Sequence, residues 1–366
     1  MKKSTKKWSF RKLKIAQVAP LWYPVPPPKY GGVERVVYYL TEGLKSRGHK
    51  VSLFASGDSK TTAKLFWWRK NHLAKDKISW HDYYLEFEHL FFAFARAKKF
   101  DIIHCHVGPK SFFFLNFVKK PIVWTFHNPL KPEKGTPLWE IIQRYKKKIF
   151  AVFLTQAHKK LCQVKFKKTF VVPNGIDLKK FPFSSKPKDY FLWVGRVEPL
   201  KGPKNAIWVA KKLNKKLLLV GKVDPEKREY FEKEIKPFLG SKIKYLGELP
   251  HSKLAKIYQG AIALLYPIEW EEPFGLVMVE SMACGTPVVV FDRGSAKEVV
   301  KHGKTGFVVP FLNKRGEKNL EGILEAAKQV GEIKREDCRK FVEKNFSVEK
   351  MVKNYEKVYY QILEEF

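Results

Sequence analysis

Short apolar runs alternate with amphipathic stretches along the chain. In the first half, the apolar runs are bounded by turn residues and lie at residues 14–19, 51–55, 101–104, 122–126 and 170–172. Between the first two runs, valines and leucines repeat at helical spacing up to Gly48, which predicts a helix over residues 32–46. A strand, a covering helix and a second strand in this order are typical of a parallel sheet with helices on its faces.

The same order starts again after residues 173–189, a stretch rich in Pro, Asp and Lys. Strands are predicted at residues 190–194, 216–220, 243–246, 261–266, 287–291 and 306–309. Helices are predicted at about residues 203–213, 225–238, 252–259 and 274–283. A single apolar stripe predicts a last helix over residues 348–365.

These patterns predict an α/β protein of two doubly wound, Rossmann-like domains that face each other across a cleft. A length of 366 residues also favours two domains, because single cores stop growing at roughly 250–300 residues. The expected parts are a basic tail at residues 1–14, a first domain at 15–184, a second domain at 185–345, and a C-terminal helix at 346–366 that packs back towards the first domain. Sheets of this kind bind ligands beyond the carboxyl ends of their strands.

Composition narrows the class of protein. With 45% hydrophobic and 15% aromatic residues, the chain has enough apolar material for two cores, which excludes disorder for most of it. The four cysteines are far apart and form no zinc-site or disulfide pattern, so we expect a reducing compartment. No apolar run reaches the roughly 18 residues of a membrane-spanning helix, and the N-terminal apolar segment is too short for a signal peptide. We expect a cytoplasmic protein, either free or peripheral on the inner face of a membrane.

The chain is strongly and unevenly basic. It has 71 Lys and Arg against 36 Asp and Glu, for a formal net charge of +35. Residues 1–184 carry +26 of this charge, and residues 185–366 carry +9. Such an excess indicates an anionic partner or a compositional bias. A nucleic-acid-binding protein is one interpretation, although the sequence has no recognisable nucleic-acid module.

The segment E-W-E-E-P-F-G-L-V-M-V-E-S-M-A-C-G-T-P, at residues 269–287, follows a predicted buried strand. Pro273 and Gly275 can open a helix whose exposed first-turn amides and dipole favour an anion. Glu272 and Glu280 are eight residues apart, about 12 Å along a helix, so they cannot share one proton. We expect the two carboxylates to contact different parts of one elongated ligand.

Two further segments combine glycine with basic residues after a strand. The segment V-G-R-V-E-P-L-K-G, at residues 194–202, contains Arg196 and Lys201. A planar donor and a point charge of this kind suit a ligand that carries phosphate groups. In the segment Y-G-G-V-E-R, Gly31 and Gly32 allow the backbone to approach a ligand closely.

Histidines lie at the ends of two predicted strands. His127 directly follows the run at residues 122–126, where it can face the cleft. His104 and His106 are further candidates, although both could be hydrogen-bonded residues of the sheet. Because His104, Cys105 and His106 alternate across a strand, they cannot all face one ion, and no metal site is predicted.

Taken together, these motifs resemble the GT-B glycosyltransferases of family 4, also called glycosyltransferase group 1, from residue 14 to about residue 309. Glu272 stands before P-F-G-L, and Glu280 follows eight residues later, shortly before A-C-G-T-P-V-V. This arrangement is similar to the E-x7-E signature of that family. The resemblance implies a hexosyltransferase type of enzyme that transfers a sugar from a UDP- or GDP-sugar to an acceptor hydroxyl, with retention of configuration. It also implies a reaction without metal or other cofactor, which agrees with the lack of an Asp-x-Asp pair in the sequence.

The resemblance implies a role for each motif residue. Glu280 would bind the ribose hydroxyls, and Glu272 would contact the donor sugar and diphosphate together with the backbone of Phe274, Gly275 and Leu276. Arg196 and Lys201 would neutralise the diphosphate as it leaves. Gly31 and Gly32 would lie beside the same diphosphate, and His127 would contact the transferred sugar. The expected catalytic residues are His127, Arg196, Lys201 and Glu272.

The resemblance also implies an acceptor bound by the first domain, either a saccharide or a lipid-linked molecule, in cell-envelope, glycolipid or polysaccharide synthesis. The basic excess of that domain then predicts an anionic membrane surface or a phosphate-bearing acceptor as a partner, and no nucleic acid. Three alternatives remain open at this point. They are a GT-B nucleotide-sugar epimerase, a nucleic-acid-binding protein and a catalytically silent sugar-binding protein.

Overall fold

A computed structural model describes residues 11–79 and 82–366 of the chain. These residues form two compact units. Unit 1 consists of residues 1–175 together with residues 348–366, and unit 2 consists of residues 176–347. Residues 1–10 of the predicted basic tail lie outside the described residues.

Unit 1 is built on a parallel sheet of seven strands. The strands are β1 (Lys14–Val18), β2 (Lys50–Phe54), β3 (Lys64–Phe66), β4 (Ile102–Cys105), β5 (Ile122–Thr125), β6 (Phe150–Phe153) and β7 (Lys168–Val171). Their order is β3-β2-β1-β4-β5-β6-β7, so the direction of sheet growth reverses between β1 and β4. A reversal of this kind opens a crevice at the carboxyl ends of the two strands.

Helices cover the sheet of unit 1. They are α1 (Gly32–Ser46), α2 (Tyr84–Phe94), α3 (Pro137–Tyr145), α4 (Gln156–Leu161) and, from the end of the chain, α12 (Val348–Glu365). The last helix packs on the first, where Gly43 lies directly against the side chain of Val352. Glu356 of the last helix also pairs with Arg47 at 2.6 Å and with His49 at 2.8 Å. The end of the chain is therefore an integral part of unit 1.

Unit 2 has a parallel sheet of six strands. The strands are β8 (Tyr190–Val194), β9 (Lys216–Val220), β10 (Ile243–Tyr245), β11 (Leu264–Tyr266), β12 (Val288–Phe291) and β13 (Gly306–Val309), in the order β10-β9-β8-β11-β12-β13. Its helices are α5 (Pro203–Lys212), α6 (Arg228–Glu234), α7 (His251–Gly260), α8 (Leu276–Ala283), α9 (Ala296–Val299), α10 (Leu320–Gln329) and α11 (Arg335–Asn345). The reversal point of this sheet lies between β8 and β11.

The predicted α/β class with two parallel, helix-covered sheets is confirmed. The structure divides the chain after Gly175, whereas the sequence predicts a division near residue 184. The difference arises because the polar segment after Gly175 packs on unit 2. There, the Ile176 amide donates to Phe346 at 2.9 Å, and the carbonyl of the buried Phe181 accepts from Arg339 at 2.7 Å. A Pro- and Lys-rich composition therefore did not mark the boundary.

The helix predicted from residue 274 begins at Leu276. Gly275 has φ +79 and acts as its N-cap, so the chain is not helical at Glu272. The 12 Å separation along a helix consequently does not apply to Glu272 and Glu280. Of the helices in residues 11–79 and 82–366, none is long and apolar enough to cross a membrane.

Candidate active site

The strongest cluster of motif residues lies at the reversal point of the unit 2 sheet. A short 3-10 turn, Pro199–Lys201, follows β8, and the acidic loop that contains Glu272 follows β11. Because β8 and β11 are parallel neighbours, their carboxyl ends lie side by side. The fold thus brings together two segments that are about 70 residues apart in sequence.

Lys201 and Glu272 form a buried ion pair in this cluster. The Lys201 Nζ lies 2.7 Å from Oε2 of Glu272, and each side chain is 10% exposed. The same Oε2 accepts hydrogen bonds from the Tyr266 hydroxyl at 2.9 Å and from the Trp270 indole at 3.0 Å. Burial alone would raise the pKa of Glu272, but the charge of Lys201 and these hydrogen bonds outweigh it and lower that pKa. Glu272 is therefore ionised at neutral pH.

Arg196 is the more accessible cation of the cluster. Its guanidinium lies 3.1 Å from Glu198 and 3.8 Å from Asp224, and its side chain is 36% exposed. Arg196 is thus held by two carboxylates while part of its planar surface remains open to solvent. An anionic ligand can bind such a guanidinium through paired hydrogen bonds.

Glycines allow the loops of the cluster to approach each other. Gly202 has φ +69, and a Cβ atom there would overlap the carbonyl oxygen of Pro267 after β11. Gly294 has φ +54, and a Cβ atom there would overlap the backbone of Glu272. Both positions therefore require glycine for conformation and for space.

A loop after β12 braces the acidic loop, and sequence reasoning did not identify this contact. The Ser295 amide donates to the Glu272 carbonyl at 2.8 Å, and the Ser295 hydroxyl donates to the Phe274 carbonyl at 2.9 Å. The Gly294 amide donates to the Glu271 carboxylate at 2.6 Å. The available signal was the Gly-Ser pair at positions 294 and 295, shortly after β12, because its two amides and its hydroxyl can donate to a neighbouring loop.

Glu280 lies inside α8 and is buried. Its carboxylate accepts a hydrogen bond from the Tyr258 hydroxyl at 3.2 Å, and the His251 ring lies 4.0 Å away. Burial, followed by the charge of Glu280, raises the pKa of Tyr258 well above its usual value. Tyr258 therefore stays protonated, and its hydroxyl donates a hydrogen bond to the carboxylate.

In unit 1, Gly31 and Gly32 lie between β1 and α1. Gly31 has φ +133 and packs against the Pro27 ring, and Gly32 is the first residue of the helix. Arg35 donates to the carbonyls of Pro27 at 3.3 Å and Lys29 at 2.6 Å. The proline-rich loop is thus fixed to the first turn of α1.

His127 follows β5 in unit 1 and is half-buried. Its Nε2 lies 3.0 Å from Nδ1 of His106, and the two rings are stacked with centroids 5.3 Å apart. Burial and, to a smaller extent, the nearby His158 lower the pKa of His127 to about 3. The imidazole is therefore neutral at physiological pH.

The structure distributes the predicted site residues over both units. Unit 2 holds Arg196 and the Lys201–Glu272 pair, followed by Phe274, Gly275, Leu276 and Glu280. Unit 1 holds Gly31, Gly32 and His127. Within the part of the chain that the structure describes, no group of three or more His, Cys, Asp or Glu could hold a metal ion.

Comparison with known proteins defines the class. The model for glycosyl transferases group 1 matches residues 176–344, and the model for glycosyltransferase family 4 matches residues 30–180. The two models are complementary and together span most of the chain. The chain therefore belongs to the group 1, family 4 glycosyltransferases, and it is a glycosyltransferase with the GT-B fold.

Individual relatives are distant but extend over most of the chain. Phosphatidyl-myo-inositol mannosyltransferase from Mycobacterium tuberculosis is 25% identical over 322 residues, which cover 81% of this chain and 82% of that protein. Sucrose-phosphate synthase from Thermosynechococcus elongatus superimposes with a TM-score of 0.78 at 20% identity, over 97% of this chain and all of that one. HepE from Anabaena, in complex with UDP-glucose, gives a TM-score of 0.71 at 18% identity over 96% of this chain and 99% of that one. Family membership selects the transferase among the alternatives raised by the sequence.

Proposed function

We propose that this glycosyltransferase moves a sugar from a nucleotide diphosphate sugar to an acceptor hydroxyl, with retention of configuration and without a metal ion. The observation that carries the proposal is the pair of cations in the loop after β8. Lys201 is fixed by Glu272, and Arg196 remains partly open to solvent. Two fixed positive charges beside the N-terminus of α8 can neutralise a diphosphate, a task that metal ions perform elsewhere.

The donor would bind along unit 2. Arg196, Lys201 and the first amides of α8 would hold the diphosphate, with Gly31 and Gly32 of unit 1 as a second set of backbone donors. Glu280 would accept hydrogen bonds from the ribose hydroxyls, which are a natural match for a buried carboxylate. Glu272 would contact the sugar, and His127 would bind one of the hydroxyls of the transferred sugar.

The reaction would take place on one face of the sugar. The bond between the anomeric carbon and the diphosphate oxygen breaks, and a bond from the acceptor oxygen to that carbon forms on the same side. The proton of the acceptor hydroxyl passes to the departing diphosphate oxygen, so no protein nucleophile is required. Arg196 and Lys201 contribute by stabilising the charge that develops on the diphosphate.

The relatives suggest which substrates to test first. HepE binds UDP-glucose, which supports a UDP-sugar, and the mannosyltransferases support trials with mannose as the transferred sugar. The name of those mannosyltransferases gives phosphatidyl-myo-inositol as the acceptor, which supports trials with a lipid acceptor here. In this proposal unit 2 binds the donor and unit 1 binds the acceptor, within cell-envelope, glycolipid or polysaccharide synthesis.

A thermal-shift panel of UDP-, GDP- and ADP-sugars tests the donor site. One nucleotide should raise the melting temperature of the protein, because a ligand that binds only the folded state stabilises it. Arg196→Ala should abolish this shift, whereas Arg315→Ala, an exposed arginine of the same unit, should preserve it. A shift that survives in Arg196→Ala would contradict the assignment. Product analysis without acceptor then separates a transferase from an epimerase, which needs no second substrate.

Exposed aromatic residues on unit 1 suggest where the protein would contact a membrane that contains a lipid acceptor. Tyr84, Phe87 and Phe91 lie three and four residues apart on α2, and the Phe87 ring lies 6.2 Å from the Phe113 ring. Phe117, four residues after Phe113, is 83% exposed, and Tyr84 is 85% exposed. We propose that these five residues belong to one aromatic face, on a unit that has 38 Lys and Arg against 14 Asp and Glu, a charge of +24.

An aromatic face on a basic unit suits the interface of an anionic bilayer. In this proposal the protein works at the cytoplasmic face of a membrane, bound peripherally through unit 1. It should sediment with vesicles that contain phosphatidylglycerol and not with neutral phosphatidylcholine vesicles, and added salt should release it. Phe117→Ser should weaken binding, whereas Phe366→Ser, an exposed phenylalanine elsewhere in unit 1, should not. Equal binding to both kinds of vesicle would refute an electrostatic contribution.

A further inference from the structure

Seven polar side chains form one continuous hydrogen-bonded chain through the interior of unit 1. It starts at His127 after β5 and ends on the C-terminal helix α12. The members, in order, are His127, His106, Gln17, Tyr359, His104, Thr125 and Tyr355. Successive polar atoms are between 2.7 and 3.1 Å apart. All members except His127 are buried.

The histidines of this chain are neutral. Burial is the main reason that the pKa values of His104 and His106 lie well below the usual range, and the neighbouring rings lower them further. A neutral imidazole has one N–H group and one lone pair. The direction of one hydrogen bond therefore fixes the direction of the next along the chain.

Gln17 sets that direction. Its carbonyl oxygen lies 2.9 Å from Nε2 of His106, and this oxygen can only accept, so the proton of His106 is on Nε2. Nδ1 of His106 is then a lone pair, and the His127 Nε2 at 3.0 Å must donate to it. The consequence is that Nδ1 of His127 carries the lone pair.

The other end of Gln17 is held by the C-terminal helix. The Gln17 amide nitrogen donates to the Tyr359 hydroxyl at 3.1 Å, and that hydroxyl donates to Nδ1 of His104 at 2.7 Å. His104 in turn donates from Nε2 to Thr125 at 2.7 Å. Each of the six hydrogen bonds thus has one donor and one acceptor, and all three histidines carry their proton on Nε2, the form that a free neutral histidine favours.

The reversed orientation of the Gln17 amide would invert the whole chain. His106 would then donate from Nδ1, and His127 would carry its proton on Nδ1 and offer a donor. Nδ1 of His127 is thus an acceptor in one orientation of the Gln17 amide and a donor in the other. The protonated nitrogen of His127 can be measured, and it distinguishes the two orientations. Among residues 11–79 and 82–366, only His106 makes a hydrogen bond with the His127 ring, which leaves Nδ1 available to a ligand.

We propose that Gln17 and Tyr359 are positioning residues that select the tautomer of His106 and, through it, the tautomer of His127. His127 then presents the Nδ1 lone pair as an acceptor for a substrate hydroxyl. The part that concerns the substrate rests on the proposed function, in which His127 contacts the transferred sugar. The tautomer itself is a property of the free protein.

Long-range 1H–15N correlation spectra of the histidine rings test the tautomer without any substrate. In the wild-type protein, His127 and His106 should both have the Nε2–H form. Gln17→Leu places an apolar side chain at this buried position and removes both hydrogen bonds, so it should give mixed tautomers at His106 and His127. Tyr359→Phe should act in the same direction, because the Gln17 amide loses its acceptor. An Nδ1–H form of His127 in the wild type, or unchanged tautomers in Gln17→Leu, would overturn the inference.

Tyr355→Phe is the matched control, since it makes the same change on the same helix but removes only the last bond of the chain. It should leave the His127 tautomer and kcat unchanged. Tyr359→Phe should lower kcat tenfold or more, on the scale seen when the partner that orients a metal-binding histidine is removed, with little effect on KM for the donor. If Gln17→Leu does not fold, the spectra of the wild type and of Tyr359→Phe still test whether this hydrogen-bonded chain selects the His127 tautomer. Absence of sugar transfer by the wild type would refute the proposed function, whereas the spectra alone refute or support the tautomer.

Discussion

The Lys201 ammonium lies 2.7 Å from the Glu272 carboxylate and 4.0 Å from the centre of the Trp270 ring. One lysine thereby links the loop after β8 to the loop after β11. Its partner Glu272 is also bound by Tyr266 and Trp270, so the position of each charge is fixed from several sides. Charges that are fixed before substrate arrives need little reorganisation during the reaction.

Replacement of Lys201 by methionine should lower both stability and activity. Glu272 would remain buried without its counter-charge, which typically costs 3–5 kcal/mol of unfolding free energy. Sugar transfer should fall by about 100-fold or more, because one diphosphate cation is lost. Urea unfolding and initial rates measure the two effects.

Lys204→Met is the control for this change, since Lys204 pairs with Glu234 on the exposed surface. An exposed pair contributes about 0–1 kcal/mol, so stability should hardly change. Equal losses in the two variants would show that the buried pair has no special role.

Gly202→Ala should disrupt the same cluster through the backbone. The alanine Cβ would overlap the Pro267 carbonyl, so the loop after β11 would have to move. Gly316 has a similar positive φ of +77 but open space around it, so Gly316→Ala should cost only the 1–2 kcal/mol of a left-handed alanine. Gly202→Ala should cost about 2 kcal/mol more and also weaken nucleotide binding. Equal destabilisation in thermal melts would mean that the loop adjusts freely.

Glu34, beside Gly31, should make unit 1 less stable as the pH rises. Burial raises the pKa of Glu34 to about 7, against a partial opposing effect of backbone amides and Arg35. The folded state therefore binds this proton more tightly than the unfolded state. The stabilisation is complete below pH 4.5 and is lost as the pH rises through about 7.

Glu34→Gln should remove this pH dependence. Between pH 5 and pH 8, the unfolding free energy of the wild type should fall by about 2–3 kcal/mol more than that of Glu34→Gln. Glu133→Gln, at an exposed position of unit 1, should behave like the wild type. Parallel pH profiles for the wild type and Glu34→Gln would contradict the raised pKa.

The sequence predicted the strands best, because strands buried on both faces are continuous apolar runs. All six strands of unit 2 are present near the predicted positions. In unit 1, β3 and β6 were not named, and β3 has only three residues. The start of α8 and the boundary near residue 184 were misplaced, since both depend on local backbone and tertiary packing that periodicity does not record.

The candidate site was predictable as motifs but not as contacts. The spacing identified Glu272 and Lys201 separately, yet their ion pair joins positions 71 residues apart. The bond between Gln17 and Tyr359 spans 342 residues. The only available signal for Gln17 was a polar residue within the otherwise apolar run of β1, K-I-A-Q-V.

The most direct test of a metal-independent transferase site in unit 2 is the rate of sugar transfer from the donor that the thermal-shift panel identifies. The rate should be measured with a chelator present, for the wild type and for Arg196→Ala, Glu280→Ala and Arg315→Ala. We predict full activity of the wild type and of Arg315→Ala in the chelator, with retention of the anomeric configuration, and losses of about 100-fold in Arg196→Ala and Glu280→Ala. Full activity in either of these two variants, or an absolute requirement for a metal ion, would contradict it.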